Sequence, residues 1–353
     1  MPFDRNASRF RSRVISVQSL DPTRGLRHTG GPLIEQKSIQ LADHLANYSD
    51  GRGDRLNLKL FDRLQFAFIC AFVSTGWVFA QPPGKTLLVV AHPDDEYYFA
   101  ATVYRMAVQL GGRVDELIIT NGEGGFRYST LAEPYYRKSL TIEAIGRKEL
   151  PAIRRKEAIN AGRVLGIQKH FFLGQKDERF TTDEEEGPNH GWNSALITTK
   201  IATLVKRRHY RYVFSVLPRS TTHGHHQAAT ALAAYAIQTL PENVRPVLLG
   251  FDTDASEYVP PPSAEKNQKW TTRYAFAFDR TAAFGFQNAL TYQIVVNWMI
   301  AEHKSQGLLQ TMQSKYPREY IWVDLESAPE AQTAASVLFH LLRTDLANDG
   351  KSQ

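Results

Sequence analysis

The hydrophobic pattern of this chain changes character twice. Residues 1–55 show no steady apolar period and scatter Arg, Ser, Gly and Asp among polar neighbours, so they read as disordered. An apolar run then extends from Leu64 to Ala80, preceded by Arg55, Lys59 and Arg63 and followed by Gln81-Pro82-Pro83-Gly84. Beyond it, short apolar runs alternate with longer segments of helical period. Lys85–Ala91 (KTLLVVA) is continuous and apolar, the pattern of a strand buried on both faces. Tyr97–Leu110 predicts a helix that ends at Gly111-Gly112, and Val114–Thr120 a second strand. Residues 122–150 read as irregular. Ala152–Leu165 predicts a charged amphipathic helix, His170–Leu173 a third strand, and Asp183–Asn193 an acidic loop. Ala195–Arg208 (helix), Tyr212–Leu217 (strand), His225–Leu240 (helix) and Pro246–Phe251 (strand) continue the alternation. Further on, Arg273–Phe278 predicts a late strand, Ala289–Met312 a long amphipathic helix, and Ala334–Leu342 a last one.

Strands alternating with helices predict an α/β protein: a Rossmann-like three-layer sandwich, with a mostly parallel sheet and helices on both faces. The run 64–80 has the make-up of a secretory signal, a basic stretch followed by an apolar core and a small residue. An uncleaved membrane anchor and a buried core helix are its alternatives. A signal belongs at an N-terminus, so the expected natural start lies near Leu56 or Leu58, with residues 1–63 a leader. The expected location is secreted or periplasmic, or membrane-anchored with the globular part outside the cytoplasm. Membrane contact is then confined to residues 64–80.

Composition narrows the chemistry. The net charge of +6 is concentrated at the front: residues 1–80 carry 11 Lys/Arg against 7 Asp/Glu, and the remainder 31 against 29. The globular part is nearly neutral and has no basic stripe, which sets nucleic acid aside as a partner. Cys70 is the single cysteine, so neither an internal disulfide nor a thiolate zinc site can form.

In parallel sheets of this kind ligands bind beyond the carboxyl ends of the strands. After the first strand stands His92-Pro93-Asp94-Asp95-Glu96, after the second Asn121-Gly122-Glu123-Gly124-Gly125, and after the fourth His223-Gly224-His225-His226. Crowded carboxylates repel one another, and a divalent cation relieves the repulsion. Zinc takes imidazole nitrogen and carboxylate oxygen, and a catalytic zinc keeps one position open. His92, Asp95 and one of His223, His225 and His226 would supply that set, leaving Asp94 free as a general base. Taken alone, His-Pro-Asp is equally a turn and helix cap, and three His in four residues a solvated loop. Their coincidence at matching strand ends carries the reading.

The chain resembles the LmbE and PIG-L type of de-N-acetylases. Its marks are His92–Glu96 after the first strand and His223-x-x-His226 after a later one. Thr120-Asn121-Gly122, Arg154–Glu157, Asp177 and His303-Lys304-Ser305-Gln306 match more weakly. The resemblance covers about residues 85–320, within an expected catalytic domain of 81–327 that is followed by a helical tail of 328–353. It implies removal of an N-acetyl group from an amino sugar or glycoconjugate, so the expected partner is a small-molecule or glycan substrate. It also implies a zinc ion (or another divalent metal such as Fe2+) on His92, Asp95 and His226. Asp94 would be the base, His223 the oxyanion donor or acid, and Arg154 a substrate contact. Relatives often carry Asp where this chain has His225, which bears on how His223 is charged. An amidase cutting another sugar-linked amide and an inactive carbohydrate-binding relative are the alternatives. Tyr128, Tyr135, Tyr136 and Trp192 could stack on a sugar but read more simply as loop packing. Glu184-Glu185-Glu186 reads as a solvated turn and His303 as a packed helix residue.

Overall fold

The structure is a computed structural model that describes residues 82–261, 268–307 and 315–343. The leader 1–63, the apolar run 64–80 and residues 344–353 of the tail lie outside the described residues. Among the described residues no helix is long and apolar enough to cross a membrane.

β1 (Thr86–Val90) and β2 (Val114–Thr120) are buried at every position. Between them a 3-10 turn (Asp95–Phe99), α1 (Ala100–Tyr104) and a π turn (Arg105–Gln109) form one helical stretch. The expected irregular segment after β2 holds two 3-10 turns, α2 (Glu133–Tyr136) and the start of α3 (Glu143–Leu165). α3 thus begins well before the expected Ala152 and carries Pro151 inside it. Proline lacks an amide donor and normally ends a helix. Here Leu150 and Ile153 are buried against Phe126, Ala132 and Leu140, and that small core holds the helix through the proline.

β3 (Lys169–Gln175), α4 (Glu186–His190), α5 (Ser194–Arg208), β4 (Tyr212–Val216), α6 (Gly224–Gln238) and β5 (Val247–Asp252) continue the alternation. They are followed by β6 (Phe276–Asp279), the small hairpin β7 (Ala283–Phe284) and β8 (Leu290–Thr291), and α7 (Tyr292–Glu302). β9 (Arg318–Val323) and α8 (Ala331–Arg343) complete the described chain. α7 is shorter than the expected 289–312. Its start is taken by the β8 pairing, and it stops at His303, whose ψ of 60° is not helical.

The main sheet has seven strands in the order β3-β2-β1-β4-β5-β9-β6. β1 to β5 are mutually parallel, and β9 runs antiparallel between β5 and β6. One face packs Leu88, Val90 and Ile118 under helices α1, α3, α7 and α8. The other packs Leu87, Val89 and Leu117 under α5 and α6. This is the expected α/β sandwich with helices on both faces of a mostly parallel sheet.

β9 was not expected from the sequence, and it anchors the helix behind the first motif. Its fully buried Glu319 accepts from the backbone N–H groups of Ala101 (2.8 Å) and Thr102 (2.9 Å) and pairs with buried Arg280 at 3.0 Å. A carboxylate over the free amides of a helix start satisfies donors that have no partner within the helix.

Candidate active site

Four segments meet at the carboxyl edge of the sheet: His92–Glu96 after β1, Gly122–Gly125 after β2, Asp177 after β3, and His223–His226 at the start of α6. Two glycines permit this. Gly224 donates to the carbonyl of Thr181, and a Cβ there would stand 2.0 Å from the carbonyl of Asp183. Gly122 has φ +71°, and Arg154 lies across its α-carbon, 2.3 Å from where a Cβ would sit.

Asp95 is fixed at both oxygens. Oδ2 accepts from the N–H groups of Ala91 (3.0 Å) and His92 (2.8 Å). Oδ1 faces Nε2 of His226 at 3.0 Å and Nδ1 of His92 at 3.5 Å, and those two nitrogens are 3.1 Å apart. Four donors held tetrahedrally at zinc distances lie about 3.4 Å from one another, so this triangle suits a zinc-sized ion. Burial alone would raise the Asp95 carboxyl, but the rings of His226 and His92 outweigh it and hold it well below the usual range. Burial likewise disfavours a charged His92, yet Asp95 and Asp177 push its ring up to about 9. The carboxylates thus favour a positive charge at this position, and a divalent cation bound there would take the place of the proton on His92.

His92, His223 and His225 form a second group of converging nitrogens. It contains no carboxylate, and fully buried His225 is not part of the cavity wall. The open cavity, about 240 Å³, is lined by His92, Asp94, Asp95, His223 and His226. A catalytic metal needs an accessible position, which favours the His92, Asp95, His226 group.

Asp94 lies beside that triangle and pairs through Oδ1 with the buried guanidinium of Arg154 at 2.8 Å. Burial pushes its carboxyl up, and Arg154 opposes the rise. Arg154 also donates to the carbonyl of Gly122 and lines the cavity. It therefore holds the expected base, a contact the sequence did not reveal. His223 caps α6, its Nδ1 accepting from the N–H of His225 at 3.0 Å. Burial, then the neighbouring His92, pushes its ring down to about 2. The ring is neutral, and with Nδ1 accepting, its proton sits on Nε2.

Several expectations are corrected. Glu186 is not in a solvated turn: it is buried, and Oε2 meets Nε2 of His225 at 2.8 Å. A run of three Glu reads as exposed because nothing in the sequence shows the imidazole waiting for one of them. Among the aromatics, Tyr128 lines the cavity, as does Phe180, which the sequence reading had not singled out. Trp192 is buried behind the site, its ring 5.0 Å from that of His225. Tyr136 donates to Glu157 (2.7 Å), and Tyr135 packs edge-on against Tyr136. His303 is fully buried on Glu96 at 2.6 Å, a packed residue as expected. Gln306, from the Ser-Gln mark, reaches the cavity wall.

A parallel sheet with a His/Asp cluster in a cavity at its carboxyl edge defines an α/β protein with a candidate metal centre. Residues 87–237 match the family described as PIG-L, GlcNAc-PI de-N-acetylase. Over those residues the chain is similar to this deacetylase family. It is 28% identical over 185 residues to a probable N-acetyl-alpha-D-glucosaminyl L-malate deacetylase 2 of Bacillus anthracis, covering 52% of this chain and 73% of that protein. The like-named Bacillus cereus protein is 24% identical over 162 residues, covering 46% and 64%. Among solved structures, N,N'-diacetylchitobiose deacetylase of Pyrococcus horikoshii matches with a TM-score of 0.42 at 17% identity, covering 73% of this chain and 82% of that one. The 4-carboxy-2-hydroxymuconate hydratase of Pseudomonas putida matches with a TM-score of 0.48 at 16% identity, covering 70% and 98%.

Proposed function

We propose that the protein is a zinc-dependent hydrolase that removes the acetyl group from the nitrogen of an amino sugar or glycoconjugate. The observation that carries this reading is the triangle of His92, Asp95 and His226 opening into a cavity beside Asp94. The family match supports the acyl-amide chemistry, and the names of the Bacillus relatives support an N-acetylglucosaminyl substrate.

His92, Asp95 and His226 would hold the metal, which when bound supplies Lewis acidity toward water and the amide carbonyl. Asp94, kept in place by Arg154, accepts a proton from the attacking water. His223 donates from Nε2–H to the oxygen that becomes anionic, and it does so as a neutral ring. The donor role would then need no extra proton, which bears on His225 standing where relatives often have Asp. Asp94 then returns its proton to the departing amine. Tyr128 and Phe180 offer apolar ring faces at the cavity wall, suited to the face of a pyranose. The run 64–80 supports an extracytoplasmic location for the domain.

The test pairs metal content with acetate release from a panel of N-acetylated amino sugars. Wild-type protein should bind about one zinc per chain and release acetate. Asp94→Ala should keep its zinc and lose turnover by about 10²- to 10⁴-fold, and His226→Ala should lose the zinc. Full activity in Asp94→Ala would remove Asp94 as the base. Zinc bound with no acetate released from any sugar would move the reading to another sugar-linked amide.

A further inference from the structure

His225 is fully buried, does not line the cavity, and has polar partners at both ring nitrogens. Nε2 meets Oε2 of Glu186 at 2.8 Å, and Nδ1 meets Nε2 of His92 at 3.2 Å. Asp177 Oδ1 flanks the second contact, 3.4 Å from Nδ1 of His225 and 3.8 Å from Nε2 of His92. The other carboxylate oxygen of Asp177 accepts from the N–H of Gly124 at 3.1 Å. The other oxygen of Glu186 faces Arg179 at 3.8 Å.

These distances order the protons. A carboxylate can only accept, so Nε2 of His225 carries the proton shared with Glu186. In the neutral ring Nδ1 is then an acceptor. The donor within reach of it is Nε2–H of His92, because Asp177 is too far from His92 to take that proton directly. With its proton on Nε2, His92 presents Nδ1, the nitrogen that faces Asp95 and His226. Metal-bound imidazoles commonly donate their other N–H to an outer partner, which fixes ring and tautomer together.

We propose that Glu186, acting through His225, is a positioning residue of the metal site. It holds His225 as a proton acceptor for His92 and so commits Nδ1 of His92 to the metal. The relay rests on the metal reading above, and on a carboxylate 39 positions before His225 in the sequence.

The test measures zinc affinity by chelator competition and the visible spectrum of the cobalt-loaded protein. The variants are Glu186→Ala, Glu186→Gln, His225→Phe, and the pair Glu186→Ala with His225→Phe. Melting of each metal-free protein reports folding. Loss of an outer partner typically weakens metal binding about 10- to 100-fold. Glu186→Ala should fall near the upper end. Glu186→Gln, which keeps an acceptor but loses the charge, should fall near the lower end, and it carries the test should the alanine variant not fold. His225→Phe should weaken binding and alter the cobalt spectrum, and adding Glu186→Ala to it should cost nothing further. Wild-type affinity in both Glu186 variants would overturn the relay, as would an undiminished Glu186 effect in the His225→Phe background. If His226→Ala still loses its metal in that case, the metal site stands and the relay alone fails. A wild-type protein that binds no zinc would overturn the metal reading, and the relay with it.

Discussion

Asp94 and Arg154 show how much of the site is a matter of pairs. The sequence places a carboxylate after the first strand and an arginine some sixty positions later, and it gives no reason to join them. In the fold the guanidinium lies across Gly122 and meets Asp94 at 2.8 Å. Burial raises the Asp94 carboxyl, and Arg154 opposes that rise. Arg154→Met removes the opposing charge, so the carboxyl titrates at higher pH. In the proposed mechanism Asp94 must be ionised to act as the base, so the acid limb of the kcat profile should move to higher pH. An unmoved limb would show that Arg154 does not set the charge state of the base. Gly122→Ala reaches the same contact from the backbone, and its Cβ would meet Arg154 at 2.3 Å at a φ of +71°. It should lower kcat while leaving zinc content near that of wild type. The residue types of the His92, Asp95 and His226 triangle were legible because clustered His and Asp after strand ends have few structural uses. The partners of His225 were not, because Glu186 arrives at the start of α4, a short helix whose placement the sequence pattern does not reveal.

At the scale of elements, the parallel strands were legible because burial on both faces demands continuous apolar runs such as TLLVV in β1. β9, REYIWV, was not, because a buried glutamate interrupts its pattern. That glutamate makes sense only with Arg280 and the first amides of α1 in place. Removing one member of a fully buried ion pair leaves the other uncompensated, which typically costs about 3–5 kcal/mol. Glu319→Ala should therefore destabilise the fold by that amount in denaturant unfolding, and Arg280→Ala by a similar amount. A loss below about 1 kcal/mol would mean that the pair contributes little to anchoring α1. The early start of α3 is hidden in the sequence for a similar reason. Pro151 reads as a helix limit until Leu150 and Ile153 are seen packed with Phe126.

At the scale of the molecule, the order β3-β2-β1-β4-β5 brings the four motif-bearing strand ends to one edge. The alternation of strands and helices made that edge predictable. The antiparallel insertion of β9 between β5 and β6 was not predictable, since it depends on chain returning from beyond α7. Stability should carry its own pH signature away from the site. Asp324 is fully buried, with Oδ1 accepting from the N–H groups of Lys269 and Glu326, and burial pushes its carboxyl up to about 6. A carboxyl raised on folding favours the fold while protonated, and that advantage is lost as pH climbs from about 3.8 through about 6. Asn cannot ionise, so Asp324→Asn should gain on wild type by up to roughly 3 kcal/mol across that window. Parallel thermal melts at pH 4 and pH 7.5 would check this, and an equal difference at both pH values would contradict it. The central claim is that this cavity cleaves N-acetyl groups by metal chemistry. The most direct test is acetate release from an N-acetylglucosaminyl substrate before chelation, after it, and after zinc is restored. Activity that disappears and returns with the metal, and never returns in His226→Ala, is the predicted result. Acetate released at an undiminished rate by the metal-free protein would contradict it.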